Sequence, residues 1–81
     1  MTFYQVDSKN MYIANLKDTV VLKSYNTIIA IALYDKVLVT DTYYSVTTSR
    51  HKNLFLRDYP YLRTEVVPQN ELDKTYTSLI R

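Results

Sequence analysis

The sequence contains no glycine and no cysteine, and it has a single histidine in 81 residues. Each scarcity excludes something. Without cysteine there is no disulfide and no thiolate metal site, so apolar packing or a partner must supply the stability. Without glycine, the loops that bring backbone close to phosphates and dinucleotides are absent in their standard form. Every turn must then be made by Asn, Asp, Ser or Lys. Asn10, Asn15, Asn26, Asn53 and Asn70 are the residues expected at positive φ, because Asn tolerates the left-handed region better than other non-glycine residues. With one histidine and scattered carboxylates, no metal or cofactor site is expected.

Long apolar runs are also missing. The longest, Ile28 to Tyr34, is far short of the roughly 20 residues of a membrane-spanning helix. The N-terminus has no basic region followed by an apolar stretch, so no signal peptide is expected. These readings place the protein in a cytoplasm, its own or a host's, with no membrane partner. Net charge is only +2, too small to mark a nucleic-acid binder. What is present is globular: apolar residues make up 47% and charged residues 22% of the chain, enough for one thin-cored domain over residues 1–81. The 9 tyrosines suit half-buried sheet faces and also contact surfaces, where a ring packs and its hydroxyl stays wet.

The periodicity predicts an α+β fold: a small antiparallel meander of three to four strands, one helix packed on it, and a second helix at the C-terminus. Phe3 to Val6 and Met11 to Ala14 read as short strands around the turn cluster Asp7-Ser8-Lys9-Asn10. Thr19 to Tyr25 is strand-like, with a break at Asn26. Thr27 to Tyr34 and Val37 to Tyr44 flank Asp35-Lys36 as a hairpin. Ile28 to Leu33 is apolar on both faces, as in a central strand or a dimer surface. Thr47 or Thr48 caps a helix running from Thr48 to Tyr59, whose face is His51, Leu54, Phe55 and Asp58, and Pro60 ends it. Glu65 to Val67 reads as another short strand. The spacing of Leu72, Tyr76 and Leu79 predicts the second helix over 68–79, although Thr75, Thr77 and Ser78 are weak helix formers.

Binding chemistry concentrates between Tyr43 and Arg57. From Thr42 to Arg57 there is no acidic residue. Arg50, Asn53 and Arg57 share one flank of the expected helix, with Lys52 nearby and Tyr43 and Tyr44 just ahead. Cations interleaved with aromatics suit an acidic protein surface or single-stranded nucleic acid, and a Thr/Ser-rich helix start with an arginine could also meet an anion. The candidate partner contacts are Tyr43, Tyr44, Thr48, Arg50, Lys52 and Arg57. No residue stands out as catalytic. His51 and Ser49 are two apart and do not face each other on a helix. A metal-free nuclease built on His51 and Arg50 ranks behind a histidine that packs.

The stretch Leu22-Lys23-Ser24-Tyr25-Asn26-Thr27-Ile28-Ile29-Ala30, followed by Tyr44-Ser45-Val46-Thr47-Thr48-Ser49-Arg50-His51, resembles a group of small uncharacterised proteins of phages, plasmids and other mobile elements of Gram-positive bacteria. Residues before Leu22 and after Tyr59 lie outside the resemblance. That group carries an apolar residue after the histidine, where this chain has Lys52. The resemblance brings no reaction and no catalytic residue. By analogy, small phage proteins without active sites inhibit host machinery, as anti-CRISPR proteins do. It implies a non-enzymatic inhibitor whose partner is a host nucleic-acid-handling protein such as a CRISPR effector nuclease. A nucleic-acid-binding accessory protein is the second reading, and a homodimer is left open.

Overall fold

Five strands run antiparallel in chain order: β1 (Tyr4–Gln5), β2 (Met11–Leu16), β3 (Thr19–Ser24), β4 (Thr27–Ala32) and β5 (Lys36–Thr40). Helix α1 (Val46–Leu56) then carries the chain across the sheet to β6 (Arg63–Val67), which pairs parallel with β5, and α2 (Gln69–Leu79) follows. This computed structural model describes residues 2–6 and 9–81, so the Asp7-Ser8 part of the first turn lies outside the described residues. The α+β class and both helices match the sequence reading. The sheet is larger than expected, with six strands rather than three to four and one parallel pairing.

The two-sided apolar pattern of β4 has a direct cause. Ile29, Ala30 and Ala32 pack toward α1 with Met11, Leu22, Val37, Val39 and Phe55. Ile28 and Ile31 pack toward α2 with Ala14, Val21, Leu38, Val67 and Leu72. A bulge lets neighbours Ile29 and Ala30 join the same cluster, since the register shifts so that Leu22 opposes Ala30 while Lys23 opposes Ile28. β4 is therefore a central strand with a helix on each face. Burying each isoleucine contributes roughly 1.5–3 kcal/mol, and α2 covers the face that otherwise suggested a dimer.

Helix α2 begins after Pro68, and its stripe is the expected one: Leu72 is buried, and Tyr76 and Leu79 pack beside it. Thr75 and Thr77 are accommodated because their hydroxyls donate to the carbonyls of Glu71 (3.0 Å) and Asp73 (2.9 Å), one turn back.

Turn chemistry differs from expectation. Positive φ occurs at Asn10 (66°), Lys17 (41°) and Tyr25 (56°). Of the five asparagines only Asn10 is there, because Asn15 lies in β2, Asn53 and Asn70 lie in helices, and Asn26 is the second residue of the Tyr25-Asn26 loop. Lys17 and Tyr25 each occupy the first position of a two-residue hairpin loop, where a type II′ turn needs φ > 0. Strand register, rather than residue preference, selects them. Lys17→Gly should therefore raise stability by about 0.5–1 kcal/mol, by relieving a left-handed residue that has a Cβ. An unchanged or lower urea midpoint would show that the backbone at Lys17 stores no such penalty.

The β4–β5 hairpin also turns one residue earlier than the sequence suggested. Leu33 N–H donates to the Lys36 carbonyl at 2.8 Å, which leaves Tyr34-Asp35, not Asp35-Lys36, as the loop. β5 stops at Thr40, so Tyr43 and Tyr44 belong to the connector rather than to a strand.

Candidate functional site

Both helices start from the same end of the sheet, just past the C-terminal ends of β5 and β6, and they pack on opposite faces. In open sheets with parallel strands, this divergence opens a crevice that ligands favour. Here the crevice is bridged. The Asp41 N–H donates to the Val67 carbonyl at 2.9 Å, extending the β5–β6 pairing. The Tyr44 hydroxyl donates to Gln69 Oε1 at 3.0 Å, and Gln69 Nε2 donates to the Ile28 carbonyl and to Asp73 Oδ1, both at 2.9 Å. Gln69 thus ties β4, the β5–α1 connector and α2 together. Sequence reasoning missed it, since nothing in a lone Gln after Pro68 signals a three-way tie.

Helix α1 spans Val46–Leu56, and its N-cap is Ser45, whose Oγ accepts from the Thr48 N–H at 3.1 Å. The expected Thr47 or Thr48 cap is displaced because Ser45, extended at φ −167°, presents its hydroxyl to the turn first. The helix ends at Leu56 rather than being carried to Tyr59 by Pro60. Asp58 therefore lies past its end, exposed, while His51 and Phe55 form the buried face with Thr48.

That inward face carries a polar chain. The Ser24 Oγ, at the end of β3, is 2.7 Å from His51 Nδ1 and 3.0 Å from Thr48 Oγ1, and Ser45 Oγ donates to Thr48 Oγ1 at 3.2 Å. His51 is 0% exposed and Ser24 1%. Burial pushes the imidazole below its ordinary value, the neighbouring Arg50 guanidinium pushes the same way, and a hydrogen bond to the Lys9 backbone opposes them. A neutral ring fits both of these partners: Ser24 donates to Nδ1, and the ring keeps an N–H to donate, as its bond with the Lys9 backbone requires. The chain Ser45–Thr48–Ser24–His51–Lys9 thus links the cap of α1 to the end of β3 and the turn before β2. Although Ser24 and His51 are at dyad distance, neither is open to a substrate in this arrangement.

The predicted contact residues divide accordingly. Thr48 is 6% exposed with its hydroxyl bonded to Ser24 and Ser45, so it faces the interior rather than a partner. Arg50 and Arg57 are exposed with Asn53 on the outer flank of α1, and Lys52 is half-buried. Tyr43 is 70% exposed, and Tyr44 is held by Gln69 with its ring partly open. Between them and Arg50 stands Val46, 69% exposed, which sequence reasoning passed over as a residue between caps. Among the described residues, the ion pairs are Lys36–Glu65 at 3.3 Å and Arg63–Glu65 at 3.8 Å, and none involves Arg50, Lys52 or Arg57. The first turn of α1 has no acidic residue, so its positive end adds to that of Arg50. Also among the described residues, no three His, Cys, Asp or Glu side chains gather as a metal would require, and no helix is long and apolar enough to cross a membrane.

No curated protein and no solved structure matches the chain. Residues 2–74 match a family of unknown function (DUF8033), and the chain belongs to that family.

Proposed function

We propose that this domain is a non-enzymatic binder whose partner surface is the end of the sheet where Tyr43, Tyr44, Val46 and Arg50 stand together, continued along α1 by Lys52 and Arg57. One observation carries the reading. Within the same short segment, the histidine and Thr48 turn inward to Ser24, while an aromatic, an aliphatic and a cation are left outside. Tyrosine and arginine are the residues that anchor protein interfaces most often. The proposed partner is a host nucleic-acid-handling protein, such as a CRISPR effector nuclease, inhibited by occlusion of its substrate site. The likeness of the Tyr44–His51 string to mobile-element proteins supports that direction.

Co-migration of the protein with such an effector on gel filtration, together with loss of nuclease activity, is the expected result. Tyr43→Ala combined with Arg50→Glu should weaken the complex at least about tenfold, the scale of one interface anchor. Absence of co-migration with CRISPR and other defence nucleases would end the proposal.

A second reading is direct nucleic-acid binding, favoured by three cations without carboxylate partners among the described residues. It predicts a salt-sensitive mobility shift of labelled single-stranded DNA or RNA that Arg50→Glu weakens. Unchanged mobility at low salt would exclude it.

A further inference from the structure

At the opposite end of α1 from Tyr43, a second concavity opens between the helix end and strands β1 to β3. It encloses about 300 Å³, at the small end for a ligand site. Val6, Ile13 and Phe55 give it apolar walls, and Tyr4, Tyr59 and Asp58 add two phenol rings and a carboxylate. The rings are held in place. Phe55 and Tyr59 pack with centroids 5.1 Å apart and planes tilted by 49°, and the Asn15 side-chain amide donates to the Tyr4 hydroxyl at 2.6 Å.

The electrostatics of this pocket favour a positive guest. Asp58 is exposed and forms no ion pair with any described residue. The negative end of the α1 dipole points the same way; the last turn of the helix holds no basic side chain, and the exposed C-cap Arg57 is the cation next to Asp58 in sequence. The Tyr59 phenol is pushed above its ordinary value, first by burial and then by the Asp58 carboxylate, so its ring faces the pocket as a neutral phenol. Aromatic faces attract cations through their quadrupole, most strongly when the cation is poorly hydrated.

We infer that this pocket binds a compact alkylammonium group, the rings of Tyr4 and Tyr59 receiving its methyl groups over a floor formed by the edge of the buried Phe55, and Asp58 balancing its charge. A free quaternary ammonium compound and a methylated lysine side chain of a partner share this chemistry. The site lies just beyond Arg57, the far end of the proposed partner surface, and does not depend on that surface.

The test is an NMR titration of the ¹⁵N-labelled 81-residue protein with choline, with N-acetyl-trimethyllysine amide, and with 3,3-dimethylbutan-1-ol, the uncharged isostere of choline. Amide shifts confined to the pocket residues are expected with at least one of the two cations. Tighter binding of choline assigns a small molecule, and tighter binding of the lysine derivative assigns a side chain. The neutral isostere should bind about tenfold more weakly, the scale of a desolvated cation–π contact. Asp58→Asn, at an exposed position, should weaken the cation about threefold, and Tyr59→Leu should weaken it further. The inference is overturned if neither cation shifts the pocket amides, if the neutral isostere binds equally well, or if Asp58→Asn leaves cation affinity unchanged.

Discussion

His51→Ala should destabilise the domain by about 3 kcal/mol, combining a cavity with loss of the bond to the Lys9 backbone, while the Ser24 hydroxyl keeps only Thr48 as its partner. A chain of 81 residues has roughly 4–12 kcal/mol of stability in all, so this one change would remove a large share of it. The same site fixes a pH dependence. Because burial and Arg50 lower the folded-state pKa of His51 below its ordinary 6.5, the unfolded chain binds more protons than the native state between those two values. Stability from the neutral ring is complete above about pH 6.5 and is lost as pH falls toward the folded-state pKa. The slope in that window is limited to one proton, about 1.4 kcal/mol per pH unit. Urea melts at pH 7.5, 6.5 and 5.5 should show the loss in the native sequence and a flatter profile in His51→Gln, which keeps an amide in the imidazole's place but has no ring to protonate. Equal slopes in the two proteins would show that His51 is not the titrating group.

Leu72→Ala should cost about 3 kcal/mol, within the usual 2–5 kcal/mol for truncating a buried leucine. Leu72 is 0% exposed and is the only fully buried residue of α2. It holds the helix over Ile31 and Leu38, and through the start of α2 it also positions Gln69. Loss of the Tyr44 tether should accompany the loss of stability. Chemical denaturation measures the first, and faster hydrogen exchange of the Glu71 amide, bonded to the Pro68 carbonyl, and of the Asp41 amide, bonded to the Val67 carbonyl, relative to β2 and β3 reports the loosening of the start of α2 and of the connector. A drop below 1 kcal/mol would mean that α2 is held by other contacts.

The fold was legible where periodicity was strong. The stripe of Leu72, Tyr76 and Leu79 predicted α2, and the apolar run from Ile28 to Leu33 predicted a central strand. It was illegible where pairing, not local preference, decides. β1 and β6 read as short strand-like runs, but as mostly exposed edge strands they carry no core-facing alternation to show that they join the sheet or that β6 pairs parallel with β5. Strand register forces Lys17 and Tyr25 into positive φ against their preferences, while four asparagines better suited to it lie elsewhere. The candidate surface was partly legible. Arg50, Asn53 and Arg57 do share an exposed flank, but Thr48 turns inward because Ser24 and Ser45 bond it. Val46 and the Asp58–Tyr59 pocket depend on where the helix starts and stops, boundaries that fall two residues earlier at the start and three earlier at the end than the sequence suggested.

The central claim is a division of labour on α1: Thr48, His51 and Phe55 build the fold, while Arg50, with Tyr43 and Val46 beside it, meets a partner. The most direct measurement pairs thermal unfolding with inhibition of a bound effector nuclease for the Tyr43→Ala/Arg50→Glu protein. The predicted result is a melting temperature within a few degrees of the native protein, the shift expected for exposed substitutions, with inhibition lost. Full inhibition by that stable variant would contradict the account.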